Sequence, residues 1–280
     1  IIEGWDINGT GYGYAIYIGN TTAYFIVRNN WLHNANGNGG IYYWNTGLIL
    51  YNVTNGKIEN NTVSGNSQYG IFLSLSSNNN ITYNNASGNS NYGIFLLSSS
   101  NNNITYNNAS GNSYGIYLYS SSNNNITNNN ASGNSYGIFL YSSSNNNITN
   151  NNVSGNSQYG IYLAGSSNNY ITYNRITGNT NYGVYITSSS TGNRIHHNNF
   201  INNNPGGKQG YDNVGGNFWN DISEGNYWSD YDTPAEGCYD NNAPYGICDE
   251  PYGLNGSAGA KDYYPLTTPG YHAPIRINSN

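Results

Sequence analysis

The sequence predicts an all-β fold, a right-handed parallel β-helix of about eight coils, each 22–23 residues long, closed by a loop-rich C-terminal cap. Three observations carry this expectation. Residues 101–122, NNNITYNNASGNSYGIYLYSSS, return almost unchanged as residues 123–144, NNNITNNNASGNSYGIFLYSSS. The Gly that opens each G-I-x-L stretch or its variant falls at Gly70, Gly93, Gly115, Gly137, Gly160 and Gly183, a spacing of 22 or 23. From Asn60 to Asn174 the chain has no charged residue and no His. A fixed period of this length marks a solenoid.

Each repeat holds three short alternating stretches, N-I-T, then N-A-S or N-V-S, then Y-G-I-Y-L, separated by Asn, Ser and Gly. Alternation is the strand signal and the separators are bend chemistry. A leucine-rich repeat would need an L-x-x-L-x-L frame and a helical return, and neither is present. The 23-residue copies carry one extra residue before Tyr-Gly, as in Ser67-Gln68-Tyr69 against Ser113-Tyr114. A bend absorbs such an insertion and a strand register does not. Two degenerate copies are read upstream, at Ala15-Ile16-Tyr17-Ile18 and Gly40-Ile41-Tyr42-Tyr43.

Stacked coils repeat at about 4.8 Å, so equivalent residues form columns. The inward columns are Ile81, Ile104, Ile126, Ile148, Ile171 and Ile195, then Ile94, Ile116, Ile138 and Ile161, then Leu96, Leu118, Leu140 and Leu163. Two Asn columns run at the bends, Asn84, Asn107, Asn129, Asn151, Asn174 and Asn198, and Asn89, Asn112, Asn134, Asn156 and Asn179. An amide both donates and accepts, so it can bond to its own copy above and below. A carboxylate column would set like charges about 5 Å apart, at a cost of about 3 kcal/mol per pair for an effective dielectric near 20. The missing charges therefore follow from the stacking.

Composition also excludes functions. A net charge of -6 with seven Lys plus Arg is unsuited to binding nucleic acid. No apolar run is long enough to span a membrane. With 31 Tyr and few charges the chain is not of the disordered kind. No signal peptide is visible, and Ile1-Ile2-Glu3-Gly4-Trp5 reads as a mature or trimmed start.

Catalytic machinery is hard to place. Polysaccharide-cleaving β-helices use Asp or Glu pairs on their central coils, and these coils have none. Ten of the thirteen carboxylates start at Asp212, and Asp230, Asp232, Asp240, Asn242 and Asp249 form a candidate Ca²⁺ set, with a solvated acidic loop as the alternative. His196 and His197 are adjacent on a predicted strand, so they would point to opposite faces and not share a metal. His33 and His272 read as isolated, and with no Met a copper site is not expected. Cys238 and Cys248 would pair as a disulfide outside the cytoplasm, the alternative being two free thiols.

The outward features are aromatic and amide. Phe72, Phe95, Tyr117, Phe139, Tyr162 and Tyr185 should form an exposed column, with Tyr69, Tyr92, Tyr114, Tyr136, Tyr159 and Tyr182 as a second. Such a stripe marks a contact surface for sugar or protein, or only stabilises the sheet. Glycosylation sequons stand at Asn8, Asn20, Asn52, Asn60, Asn80, Asn85, Asn103, Asn108, Asn125, Asn130, Asn147, Asn152 and Asn255, and the in-phase copies would present glycans in ladders.

The frame N-x-I-x-x-N-x-[AVI]-x-x-N followed by Y-G-I-x-L resembles the NosD-like repeats of the carbohydrate-binding and sugar-hydrolase group. Residues 225–231 (GNYWSDY), 246–252 (GICDEPY) and 262–266 (DYYPL), with the opening 1–12, resemble the closing and first-coil motifs of archaeal secreted members. That resemblance implies an extracellular or cell-surface protein and no particular enzyme. It also implies a Ca²⁺ loop, but Ala243-Pro244-Tyr245 and Cys248 depart from the pattern, so a disulfide would replace the ion as the staple.

These readings give a β-helix over residues 1–204 and an aromatic, disulfide-stapled cap over 205–280, with Trp219 and Trp228 sealing the last coil. The favoured function is a non-enzymatic structural glycoprotein of the cell exterior, assembling end to end into a filament or lattice. The alternative is a carbohydrate-binding module using the Tyr/Phe columns. An enzyme built on Asp230 and Asp249 follows, and an ice-binding face of Asn103, Thr105 and their equivalents comes last.

Overall fold

The computed structural model describes residues 1–37 and 45–270. Each coil visits three faces in turn. Face one stacks nine parallel strands, from Ile2–Glu3 through Asn103–Thr105 to Arg194–His196. Face three also stacks nine, from Tyr14–Thr21 through Tyr114–Tyr119 to Gly210–Asp212. Face two is interrupted. Strands Asp6–Asn8, Trp31–His33 and Thr62–Ser64 give way to single bridges at Asn85, Asn108 and Asn130, and strands resume from Asn152–Ser154 to Tyr227–Trp228. The bridge-only coils place Ala86, Ala109 and Ala131 inward, where the later strands place Val153, Ile176 and Phe200. Apart from a 3-10 turn at Pro234–Glu236, the described residues hold no helix.

Register keeps like on like. Ile81, Ile104, Ile126, Ile148, Ile171 and Ile195 are successive partners, and all are fully buried. Ile94, Ile116, Ile138 and Ile161, with Leu96, Leu118, Leu140 and Leu163, do the same on face three. Each contributes roughly 1.5–3 kcal/mol by leaving water. Tyr69, Tyr92 and Tyr114 stay aligned across coils of different length, so the extra residue is indeed taken up in the bend.

The Asn columns tie the bends together. Asn129 is fully buried; its Nδ2 donates to the Ile104 carbonyl (2.8 Å) and to Asn151 Oδ1 (3.1 Å). Its Oδ1 accepts from the Asn107 backbone N–H (2.9 Å) and Nδ2 (3.0 Å). The same pattern runs from Asn30 through Asn198 to Asn226. A second ladder runs from Asn66 to Asn203. A buried amide costs nothing here because every polar atom finds a partner. Gly115 illustrates the close packing of coils, since a Cβ there would lie 2.6 Å from the Gly137 carbonyl oxygen of the next coil.

Three expectations need amendment. The upstream copy at Gly40–Tyr43 lies outside the described residues. The residues in phase are instead Gly47-Leu48-Ile49-Leu50, in strand Thr46–Val53, where Leu48 partners Ile71 and Leu50 partners Leu73. Leu stands there in place of the repeat's Ile, which hides the phase from a search for Gly-Ile. The coils number about nine, since both long faces hold nine strands. Strands of faces two and three also continue past residue 204, as Gly210–Asp212 and Tyr227–Trp228.

In the last strand of face two, Trp228 lies between Phe200 (ring centroids 4.1 Å apart) and Tyr252 (4.2 Å). Cys238 and Cys248 form a disulfide with Cα atoms 4.9 Å apart. Asp262 is fully buried and accepts from the Asn226 backbone N–H (2.7 Å), Trp228 Nε1 (2.9 Å) and the Tyr264 N–H (3.1 Å). Burial pushes its carboxyl up to about 7, against those donors, which favour the ionised form.

Candidate functional site

The outward aromatic column of face three differs from its expected form. Phe72 and Phe95 are only 3% and 8% exposed, and Tyr117, Phe139, Tyr162 and Tyr185 are half-buried. The two columns interleave into one strip. Phe95 stacks on Tyr117 (5.0 Å, 8°) and Phe139 on Tyr162 (4.4 Å, 2°), while Tyr92 packs beside Phe95 at 5.0 Å. From Phe72 to Tyr162, face-to-face stacking along the axis uses up the ring faces. A sugar ring needs an open face to lie on. Burial, helped by Tyr69 and Tyr114, pushes the Tyr92 hydroxyl up to about 12. Burial pushes Tyr117 up as well.

More exposed rings occur elsewhere, at the bend between faces one and two, where Trp31 stacks one face on His33 (4.1 Å, 24°). There the chain turns through one left-handed residue per coil: Asn29, Asn60, Tyr83, Tyr106, Asn128, Asn150, Tyr173 and His197, all with φ of 52–59°. Tyr83 packs one face on Tyr106 (4.9 Å, 4°), while the preceding coil has only Asn60 at that height. On face two Trp31 is followed by Thr62 and then Asn85. The result is a notch of about 300 Å³ lined by Asn29, Trp31, Asn60, Thr62, Tyr83 and Asn85. Trp31 is 47% exposed and Tyr83 42%. No lining side chain is charged. The sequence offered one signal for it, the appearance of Trp31 and Tyr83 in files that hold small polar residues, Thr62 and Asn60, in the coil between them.

None of the sequon asparagines is buried. Asn8, Asn20, Asn52, Asn80 and Asn147 are exposed, while Asn60, Asn85, Asn103, Asn108, Asn125, Asn130, Asn152 and Asn255 are half-covered. Neighbouring copies hydrogen-bond directly, Asn130 Nδ2 to Asn108 Oδ1 and Asn152 Nδ2 to Asn130 Oδ1, both at 2.8 Å. Coil spacing of about 4.8 Å leaves no room for bulky glycans on every rung, so unbroken glycan ladders are sterically excluded.

The candidate Ca²⁺ residues do not converge. Asp230 accepts from Gln209 Nε2 (2.6 Å) and the Tyr252 hydroxyl (2.9 Å), and Asp232 from the Tyr227 hydroxyl. Asp240 accepts from the Gly246 N–H (2.9 Å), and Asp249 from the N–H groups of Asn241 (3.0 Å) and Asn242 (3.2 Å). Each carboxylate pins its own stretch of loop. Among the described residues none of the four belongs to a cluster of three metal-binding side chains.

One such cluster does exist, and its sequence reading is reversed. The strand ends at His196, and His197 adopts φ of 58°. Alternation stops at that left-handed residue, so both imidazoles project from one side, with their Nδ1 atoms 2.6 Å apart. Asp221 joins them, all three ligand atoms lying within 4.8 Å of one another. Burial pushes His196 down, as does neighbouring His197. Asp221 sits below its ordinary value: burial works to raise it, but the backbone N–H groups of Ser223 and Glu224 outweigh that. His33, read as isolated, pairs with Asp6 at 2.7 Å, and His272 lies outside the described residues.

Three-faced coils with parallel strands, internal Asn ladders and no helical return define a right-handed parallel β-helix protein, and a family model of right-handed β-helix regions matches residues 1–131. A model of NosD, described as a periplasmic copper-binding protein, matches residues 92–233, half of the chain. The chain belongs to this NosD family. No curated protein matches it. Among solved structures it is similar to the periplasmic alginate epimerase AlgG, at 20% identity and a TM-score of 0.60, covering 68% of this chain and 48% of that one. It is also similar to the A-module of a mannuronan C-5 epimerase from Azotobacter vinelandii, at 20% identity and 0.62, covering 72% and 58%. The Dettilon tailspike protein matches at 20% and 0.58, covering 78% and 46%. The chain thus spans about half the length of these proteins, and the likeness is one of fold.

Copper is the ion that the family description names. This chain has no Met, and its two Cys are joined, so no sulfur ligand set for Cu(I) is present among the described residues. The nitrogen and oxygen donors of His196, His197 and Asp221 fit Cu²⁺ instead.

Proposed function

We propose that the chain acts outside the cytoplasm as a rigid, non-enzymatic β-helix that binds neutral carbohydrate in the notch between Trp31 and Tyr83. The observation that carries this is the notch itself, with two aromatic rings more than two-fifths exposed above a floor of amides and no charge. Sugar recognition uses this combination, an apolar face for the ring and amides for the hydroxyls. The fold neighbours named for alginate and mannuronan epimerisation support a carbohydrate partner in class. No Asp, Glu, Lys, Arg or His lines the notch itself, which supports binding without turnover there. The disulfide and the periplasmic family description support a location outside the cytoplasm.

Sequons Asn60 and Asn85 line the notch, so a covalent glycan there would fill it. The reading therefore places any glycosylation on exposed positions such as Asn8, Asn20 or Asn147. End-to-end assembly would use the outer edges of the first strand of each face, which are terminal in their sheets among the described residues, and a coil preceding Ile1 would cover those edges as well as a second copy does.

A glycan array followed by calorimetry tests the proposal. Retention of neutral oligosaccharides is expected, with loss in Trp31→Ala and Tyr83→Ala while the melting temperature holds. An array without ligands, or binding unchanged in both variants, refutes it.

A further inference from the structure

The cluster at the C-terminal end of face one is built by an insertion. Arg194 bridges to Phe218, and the Ile195 N–H donates to the Phe218 carbonyl, so Trp219 takes the place of Ile195 in the following rung. Asn226 then continues the Asn ladder by accepting from the Asn198 N–H at 3.1 Å. From Trp219 to Asn226 the chain carries four more residues than from Ile195 to Asn198. The surplus, Asp221-Ile222-Ser223-Glu224, loops out over the two histidines. It is closed by the Asp221 N–H donating to the Glu224 carbonyl at 2.8 Å. Asp221 Oδ1 accepts the N–H groups of Ser223 (2.7 Å) and Glu224 (2.8 Å), which leaves Oδ2 facing His197 Nε2 at 3.9 Å.

We propose that His196, His197 and Asp221 bind one divalent transition-metal ion of the Cu²⁺ and Zn²⁺ class, with Glu224 as the residue that orients His197. Two features point to a ligand beyond mere proximity. Glu224 Oε2 lies 2.9 Å from His197 Nε2, so that nitrogen donates its proton and Nδ1 keeps its lone pair, which without an ion accepts the His196 Nδ1–H. This is the carboxylate–imidazole pairing that normally stands behind a ligating histidine. That lone pair is aimed at His196 Nδ1, 2.6 Å away. Tyr173, one coil earlier, stacks on the His197 ring at 4.9 Å and fixes its plane.

The two imidazoles need little change to admit an ion, and Asp221, whose Oδ2 faces the Nε2 edge of His197, swings toward Nδ1 to complete the set. With metal–nitrogen bonds of about 2.05 Å in a tetrahedral shell, two nitrogens stand about 3.3 Å apart, so the imidazoles separate by less than an ångström. His196 then carries its proton on Nε2. Two imidazoles and one carboxylate suit Cu²⁺, Zn²⁺ or Ni²⁺ rather than Ca²⁺ or Mg²⁺, which favour all-oxygen shells. Among these the Irving–Williams order puts Cu²⁺ first. The remaining coordination positions fall to water.

The test is a titration of the chelator-treated full chain with CuSO₄ and, separately, ZnCl₂. Calorimetry gives stoichiometry and affinity, and Cu²⁺ electron paramagnetic resonance gives the nitrogen ligands. Variants are taken from the repeat itself so that the coil still forms: His196→Thr, the residue that earlier coils carry at Thr172 and Thr149, and His197→Asn, as at Asn128 and Asn150. One ion per chain with nitrogen hyperfine structure is expected, with Cu²⁺ bound more tightly than Zn²⁺. Either His variant should weaken binding at least 10-fold, and Glu224→Gln about 10- to 100-fold. Asp249→Asn, in the cap, should leave binding unchanged. A wild-type chain that takes up neither ion, or a His196→Thr/His197→Asn double variant with wild-type affinity, overturns the proposal.

Discussion

Asn129 and Asn130 are neighbours in sequence, carry the same side chain, and should differ sharply when cut to Ala. Asn129 is fully buried, and its amide serves three backbone groups, of which the Thr127 carbonyl (3.2 Å) also accepts the Tyr106 N–H, leaving the Ile104 carbonyl at 2.8 Å and the Asn107 N–H at 2.9 Å as the two at stake. Its removal strips both of these partners. Each buried group left unpaired costs about 1–3 kcal/mol, so Asn129→Ala should lose about 2–6 kcal/mol. The Asn107 side chain keeps one acceptor, the Ile81 carbonyl at 2.8 Å, so the ladder thins there without unravelling. Asn130 is half-exposed, and its amide bonds run only to the amides of Asn108 and Asn152, both at 2.8 Å. Water replaces those bonds, and Asn130→Ala should cost under about 1 kcal/mol. Urea unfolding followed by circular dichroism measures both. If the two variants lose the same stability, or if Asn130→Ala loses more, the inner ladder does not hold the coils together and the energetic argument fails.

Two further outcomes concern the cap. Asp262 has its carboxyl raised by burial from 3.8 to about 7, so the folded chain holds this proton more tightly than the unfolded chain. Its contribution is complete below about pH 4 and falls as pH rises toward 7, by about 4 kcal/mol at most for three units of 1.36 kcal/mol. The difference in stability between wild type and Asp262→Asn across that window measures it, and a difference that stays flat refutes it. A Cβ on Gly225 would lie 1.8 Å from Asp262 Oδ1, so Gly225→Ala should cost more than about 3 kcal/mol. Gly155→Ala, with φ of 61° but nothing within 4 Å, should cost only about 1–2 kcal/mol for its backbone, and thermal melts of the two compare them directly.

The coil was legible because it repeats. A file such as Ile81, Ile104 and Ile126 declares itself when each member returns after 22 or 23 residues, and so does its neighbour in Asn84, Asn107 and Asn129. Gly47-Leu48-Ile49 escaped because one substitution hid its phase, and the aromatic columns were placed correctly but judged exposed. Alternation says that Phe72 and Phe95 point outward. It does not say that Tyr69 and Tyr92 fold over them, which depends on ring rotamers settled only when the coils stack.

By itself, the sequence determined the period, the inward files, the amide ladders and the uncharged centre, because each follows from local alternation multiplied by a repeat. The tertiary structure alone decided what departures from the repeat bring together. His196 and His197 share a side because one left-handed residue interrupts the alternation, and Asp221 reaches them only through a loop inserted in the next rung. Trp31 and Tyr83 flank a notch because the coil between them carries small side chains at both positions. Such sites depend on contacts between residues far apart in the chain, at heights fixed by stacking, and no local pattern encodes that juxtaposition.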